Sequence, residues 1–570
     1  MTSSEWKNLI ARKKQEQAAA IPKEWIIKDL PPKDTLNVVG FPESCGLLTP
    51  KEIQITTAEI GPLLANIAST TWSAVEVTTA FAKRAVIAHQ LVTCLTEIFV
   101  DRALKRAAHL DEILKTTGKV VGPLHGLPIS LKDQINIQGL ESTMGYVSWI
   151  GKPAQSNAVL VDVLEAAGAV LYVKTNVPQT LMWPETYNHV FGRTTNPYNR
   201  TLTSGGSSGG EGALVALRGS PIGVGSDIGG SVRIPAAFCG TYGLRPSYGR
   251  IPYAGCVNSM EGQDSLPSVL GPLCNSLEAV KLFMKSVATQ KPWTLDPLAA
   301  RKPWNEEEYL LVDHGGPNAK LCFGIMWDDD WVRPHPPVLR GLQETKKALL
   351  AAGHSVIDWK PYKHKEIVQI SNAIFAAGAA EDYRVSTAPS GEPVISTMLI
   401  GVEDHDYAPK HIPGFRPLSE GVSSYDLWQV QKKRRDLRQE YLNYWNATVN
   451  ITGTGRPVDA IISPCAPYVA PPHGFNTLAS YTTIWNGLDY TALVIPTGLS
   501  VDPVLDTASS RDQFYNDEDK AIHALYNPQT FQDAPISIQV VGRTLEEEGV
   551  IAIGEVVDAA LKNTLSKSKI

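Results

Sequence analysis

The sequence predicts an α/β fold: one large domain whose mixed, mostly parallel β-sheet is flanked by helices, with a helical N-terminal arm in front. Three observations carry this. Amphipathic helical segments alternate with short apolar runs along most of the chain, the rhythm of βαβ units. The 570 residues are 43% hydrophobic and 19% charged, enough apolar material for a large core. No self-similar unit of about 20–50 residues recurs, which argues against a solenoid or propeller.

Residues 1–45 read as the arm. Thr2-x-x-Glu5 has the spacing of a capping box before a helix through Trp6 and Ile10, and Pro22 ends it. Residues 46–570 then read as the single domain. Thr56–Ile67 and Ser73–Gln90 are expected helices, the second opened by the box Ser73-x-x-Glu76 and carrying a stripe of Val77, Phe81 and Ala88. Asp101–Lys115 is a third helix. Ile129 and Leu131 belong to a short buried strand that Lys132 continues. Asn157–Ala167 is a helix stopped by Gly168, and Ala169–Lys174 is the next strand.

After a long connection come the helix Ser276–Val287, a proline-rich surface linker over 290–318, and a second strand–helix–strand unit. That unit comprises Leu321–Trp327, Val338–Ala352 and Ser355–Trp359. Residues 360–422 read as irregular. Ser424–Asn446 is a long helix whose Lys432-Lys433-Arg434-Arg435 run suits a solvated face. Ala460–Ser463, Leu493–Pro496 and Ile536–Val541 are short apolar strands, and Leu545–Leu561 closes the chain as a helix.

The chemistry concentrates in Thr203–Pro235. Serine–glycine clusters stand at both ends, Gly205-Gly206-Ser207-Ser208-Gly209-Gly210 and Gly229-Gly230-Ser231. Between them lie a short buried helix and a strand from Pro221 to Val224. Glycine lets the backbone take left-handed conformations and approach a ligand closely, so consecutive N–H groups can converge on an anion. Taken singly, either cluster is also explained by a solvated glycine-rich turn. A nucleotide-binding loop fits less well: no G-x-x-x-x-G-K-[ST] is present, and Gly223-Val224-Gly225 runs into Ile228 where a dinucleotide fingerprint needs glycine. The G-x-S-x-G matches at Gly205–Gly209 and Gly206–Gly210 follow a polar connection, not the strand that a nucleophile elbow requires. Lys132 adds a third element. A lysine in an apolar strand must snorkel, pair with Asp133, or serve a purpose that needs it buried.

Together, Gly126-Leu127-Pro128-Ile129-Ser130-Leu131-Lys132, the GGSSGG cluster and Asp227-Ile228-Gly229-Gly230-Ser231-Val232-Arg233 resemble the amidase signature family of serine hydrolases, with a signature core over about 120–260. Within that family the stretches GPLHGLPISLKDQ, GGSSGGEGA, DIGGSVRIPAAF, YGLRPSYGRIPYA and APISIQVVGR are similar to those of fungal acetamidases. The resemblance implies hydrolysis of the C–N bond of small, acetamide-like amides through an acyl-enzyme, releasing a carboxylate and ammonia or an amine. Carbamates and anilides share that chemistry. The amidase subunit of a tRNA-dependent amidotransferase is the other reading, and a catalytically dead binding protein on the same fold a third.

The resemblance also implies roles. Ser231 is the nucleophile, Lys132 the base, and Ser207 the bridge between them, on a cis peptide after Gly206. The amides of Ile228, Gly229, Gly230 and Ser231 form the oxyanion hole. Ser208 supports the network. Asp227 and Arg233 read as a structural ion pair or backbone anchor beside the nucleophile. Leu181 matches an acyl-pocket position of related fatty acid amide hydrolases, and Met182 beside it joins the expected pocket wall. For Lys132 to accept a proton it must be neutral, which burial favours.

No cofactor and no metal are expected. Glu403-Asp404-His405-Asp406 with His411 fits no standard ligand spacing and reads as a solvated loop. The twelve histidines show no partnership that would make a Ser-His-Asp triad. A net charge of −6 recruits neither nucleic acid nor anionic lipid. No stretch has the apolar length to span a bilayer, and the N-terminus lacks a secretory h-region. Seven scattered cysteines without C-x-x-C spacing suit free thiols in a cytoplasmic setting. The expected partner is a small-molecule amide, and arms like residues 1–45 in related amidases place a homodimer among the expectations.

Overall fold

The computed structural model describes residues 3–395 and 420–568. Its strands, in chain order, begin with β1 (Leu95–Ile98), β2 (Pro128–Lys132) and β3 (Val170–Thr175). A two-residue hairpin follows, β4 (Tyr187–Asn188) and β5 (Gly192–Arg193). Then come β6 (Ile222–Asp227), β7 (Tyr242–Arg245), β8 (Val269–Cys274), β9 (Cys322–Ile325) and β10 (Ser355–Asp358). The last are β11 (Ala460–Ser463), β12 (Ala492–Ser500) and β13 (Pro535–Val541).

Eleven of these form one mixed sheet in the order β1-β3-β2-β6-β8-β7-β12-β13-β11-β9-β10. Parallel pairing occupies two blocks, β3-β2-β6 on one side and β11-β9-β10 on the other. Each block contains a strand–helix–strand crossover of the kind the sequence rhythm suggests: β2 to β3 through the helix Val159–Ala166, and β9 to β10 through Pro336–Ala351. Between the blocks the pairs run antiparallel from β6 to β11, and β1 joins β3 antiparallel. The expectation of a mostly parallel sheet therefore holds inside the two crossover units only. The strands of the antiparallel centre read as continuous apolar runs because helices cover both faces, so their direction leaves no mark on the pattern.

Helix ends follow their caps. Ser73 and Glu76 make the reciprocal capping box that opens Ala74–Val92, and Ser276 caps Leu277–Thr289. The N-terminal helix Ser3–Ala19 lies against the domain; its expected cap residue Thr2 is outside the described residues. Trp6, Leu9 and Ile10 pack on Val147, Ile150, Val190 and Phe191. Lys13, itself buried, reaches inward to the partly buried Glu97 at 2.5 Å and Glu141 at 3.0 Å, which anchors the helix to the domain.

Four segments depart from expectation. Thr56–Ile67 is not one helix but parts of two, Pro50–Thr57 and Ile60–Ala68, the first opened by a Thr49–Glu52 capping box. The 290–318 segment contains short helical turns, and Lys302 ties it to Glu308 and Glu548. Among its described residues, the 360–422 region contains the helices His364–Ala376 and Glu381–Thr387. The C-terminal helix is Glu547–Ser568. The Glu403–Asp406 run and His411 lie outside the described residues. No helix among the described residues is long and apolar enough to cross a membrane.

Candidate active site

Lys132 ends β2, and Ser226 and Asp227 end the neighbouring parallel strand β6. Because the two strands run the same way, their carboxyl ends deliver these side chains to one edge of the sheet, where ligand crevices in α/β sheets form. Ser207 and Ser208 immediately precede the buried helix Gly209–Ala216. Ser231 sits in the turn between β6 and the helix Arg233–Phe238. The Ser208 amide donates to the Ser231 carbonyl at 3.1 Å, which seats the two glycine–serine clusters side by side.

The Gly206–Ser207 peptide bond is cis. A Cβ on Gly206 would lie 2.6 Å from the Glu185 amide nitrogen, so the close packing of 183–185 against this turn admits only glycine. Lys132 is shut off from solvent, and its Nζ stands 2.7 Å from Ser207 Oγ and 2.8 Å from Ser226 Oγ. Burial pushes the Lys132 amine down to about 7, against the opposing pull of the Asp227, Glu211 and Asp133 carboxylates. Ser208 supports this geometry from behind: its Oγ accepts the Ser226 amide at 3.2 Å and donates to the Ser226 carbonyl at 3.3 Å.

Asp227 and Arg233 form a fully buried ion pair with two guanidinium contacts, at 2.9 and 3.0 Å. Burial raises the Asp227 carboxyl, but the Arg233 charge and hydrogen bonds more than offset this and hold it well below the ordinary range. The same carboxylate accepts the amides of Gly230 at 2.8 Å and Val232 at 3.1 Å, so it shapes the turn around Ser231. Asn486, from the distant helix Ser480–Leu488, bonds both partners. Thr482 and Thr483 of that helix donate to the Gly229 carbonyl at 2.7 and 3.0 Å.

This corrects one expected role. The Gly230 amide is turned inward to Asp227 and does not face the cavity. The carbonyl of Gly229 is pinned by two hydroxyls on one side, so the amide of the same peptide unit points the other way. Gly230 adopts φ +138°, and a Cβ there would meet Thr482 Oγ1 at 2.2 Å. The amides of Ile228, Gly229 and Ser231 make no hydrogen bond among the described residues.

A cavity of about 490 Å³ opens onto this turn. Gly206, Ile228, Gly229, Gly230 and Ser231 form its floor, with Leu181 and Met182 in one wall. The rest of its lining comes from Trp331, from Val368, Asn372, Ala373, Phe375 and Ala376 of the helix His364–Ala376, and from the segment 477–480. Glu518 also reaches it. Sequence reading missed the His364–Ala376 wall, although Ile367, Val368, Ser371, Ile374 and Phe375 carry a helical stripe that would have revealed it. Glu211 lies in the first turn of the buried helix Gly209–Ala216, and the sequence pattern alone shows no role for it. It accepts from Ser130 at 2.6 Å and Thr175 at 2.9 Å, and burial pushes its carboxyl up to about 8.

The arrangement offers a buried amine at a serine, a second serine on a cavity floor, and free amides around it. Such a set can activate a hydroxyl and stabilise an anion. Comparison with known proteins follows the same line. A family model described as Amidase matches residues 76–551. The chain is 42% identical to an acetamidase of Aspergillus oryzae over 98% of this chain and 100% of that protein. It is also 42% identical to an acetamidase of Emericella nidulans, over 98% and 99% respectively. Among solved structures it is similar to one titled fatty acid amide hydrolase, with a TM-score of 0.89 and 35% identity, covering 98% of this chain and 95% of that one.

Proposed function

Since this chain belongs to the amidase family and is an amidase, we propose that it cleaves linear carboxylic amides through an acyl-enzyme on Ser231, with Lys132 as base and Ser207 as relay. The observation that carries the reading is the 2.7 Å contact of a buried, neutral-leaning Lys132 amine with Ser207 Oγ. In the acylation step Ser231 Oγ attacks the amide carbonyl. Its proton passes to Ser207 as the Ser207 proton passes to Lys132. The amides of Ile228, Gly229 and Ser231 receive the developing oxyanion, each such donor being worth roughly 3 kcal/mol in the transition state. The relay then runs backwards, Lys132 to Ser207 to the leaving nitrogen, and the amine departs. Water repeats the cycle on the ester, releasing the carboxylate and restoring Ser231.

Ser208 holds the Ser226 backbone behind this relay, and Asp227 with Arg233 fixes the turn that carries Ser231. Leu181, Met182 and the helix His364–Ala376 bound the acyl space. The family names suggest short aliphatic amides, but a cavity of about 490 Å³ with mainly apolar walls holds much more than acetamide. The reading is therefore an amidase whose substrates extend beyond acetamide to longer aliphatic or aromatic amides. Seven free cysteines, five of them buried, suit a reducing cytoplasm, and this location belongs to the reading. Ammonia release from acetamide, hexanamide and benzamide by the purified protein tests it: turnover is expected for all three, and turnover of none rejects it.

A further inference from the structure

We infer that Gln134 is a positioning residue that sets the direction of the proton relay by fixing the hydroxyl of Ser226. The inference rests on the reading of Lys132 as proton acceptor and goes beyond it. Gln134 is fully buried directly behind Lys132. Its amide has only one workable orientation. The Val257 carbonyl, 2.8 Å away, can only accept, so the Gln134 Nε2 side must face it. The second Nε2 hydrogen goes to Tyr253 Oη, also at 2.8 Å. The Gln134 Oε1 side is thereby turned to Ser226 Oγ at 2.5 Å.

An amide oxygen carries no hydrogen, so the Ser226 hydroxyl must donate to Gln134. Only lone pairs of Ser226 then face Lys132 Nζ at 2.8 Å, and the lysine must supply the hydrogen of that contact. A neutral amine has two hydrogens and one lone pair. With a hydrogen committed to Ser226, the lone pair is left free to take the proton of Ser207, whose Oγ is 2.7 Å away. If the Ser226 hydroxyl turned round, it would donate to the lysine lone pair and compete with Ser207. Gln134 prevents that rotation. It touches neither substrate nor the reacting atoms, and it acts through Ser226 alone.

A double-mutant cycle tests this on the full chain. Gln134→Leu keeps the volume and removes the acceptor, and should lower kcat about tenfold or more with KM little changed. Ser226→Ala removes the hydroxyl that would misdirect, and should cost less. The decisive variant is Gln134→Leu/Ser226→Ala, which should recover the kcat of Ser226→Ala alone, because no hydroxyl remains to block the lone pair. A merely structural Gln134 would give losses that multiply, and that result would overturn the inference. Should Gln134→Leu fail to fold, Gln134→Met, which likewise offers Ser226 no amide oxygen, takes its place in the cycle with the same expectations, and losses that multiply again overturn the inference. Lys132→Ala, assayed alongside, separates the two levels. If it stays active, the reading of Lys132 itself fails. If it is inactive while the cycle is multiplicative, only the role of Gln134 fails.

Discussion

Lys132 Nζ and Ser207 Oγ lie 2.7 Å apart with both side chains closed off from solvent, at the junction of a strand end and a cis peptide bond. A lysine in that position is costly to the fold and, in the proposed mechanism, useful to the chemistry for the same reason: burial disfavours its charge.

That cost has a sign. The folded-state pKa of Lys132, about 7, lies below its ordinary 10.5. Between those values the unfolded chain binds more protons than the folded one, so stability rises with pH across the window. Below about pH 7 the penalty for the buried ammonium is fully present, and above 10.5 it is gone. Lys132→Met should therefore raise the melting temperature relative to the parent most at pH 6, with the difference shrinking towards pH 10. Calorimetry at both pH values checks this; a difference that grows with pH contradicts it.

Removing either serine hydroxyl should strike kcat and spare the fold. Ser231→Ala leaves nothing to acylate, and no acyl adduct should accumulate. Ser207→Ala keeps the nucleophile but breaks the proton path, with an expected loss of about 10²–10⁴ in kcat. Mass spectrometry of the protein during turnover distinguishes the two, since a slow adduct on Ser231 should still form in Ser207→Ala.

The Asp227–Arg233 pair should behave as a support. Arg233→Met leaves the Asp227 carboxylate buried without its counter-charge, a change that typically costs about 3–5 kcal/mol. Asp227→Asn/Arg233→Met removes both charges and should regain most of that stability, as read by urea unfolding. Activity should stay low in the double variant, because the carboxylate that orients the Gly230 and Val232 amides is absent.

Cavity size should set the substrate range. Ala373 stands in the apolar wall formed by the helix His364–Ala376. Ala373→Phe should lower kcat/KM for hexanamide by about tenfold or more, the scale of a methylene or two of lost apolar binding, and leave acetamide within about twofold. Equal losses for both amides would place the acyl space elsewhere.

The candidate site was legible where its residues are local in sequence. Lys132 in an apolar strand, the GGSSGG turn and the serine after Gly229-Gly230 each announce themselves, because glycine and a buried charge are tolerated only for a reason. What could not be read comes from afar. Asn486, Thr482 and Thr483 lie some 250 residues beyond Asp227 and Gly229, and nothing in a single-residue pattern marks an asparagine that will bridge a buried ion pair. The Gly230 amide was misassigned for the same reason, since its direction depends on those two threonine hydroxyls. The fold was legible as alternating strands and helices, and β2 to β3 and β9 to β10 follow the rule that such alternation gives parallel pairs. The antiparallel centre from β6 to β11 was not legible, because strand direction is set by which neighbours meet in space.

The most direct measurement is the rate at which a fluorophosphonate probe labels the protein as pH is varied, with the modified residue identified by peptide mass spectrometry. The account expects one adduct, on Ser231, forming at a rate that climbs through about pH 7 as Lys132 loses its proton, and a slow, nearly pH-independent rate in Lys132→Met. An adduct on another residue, or a Lys132→Met protein labelled as fast and with the same pH dependence as the parent, would contradict it.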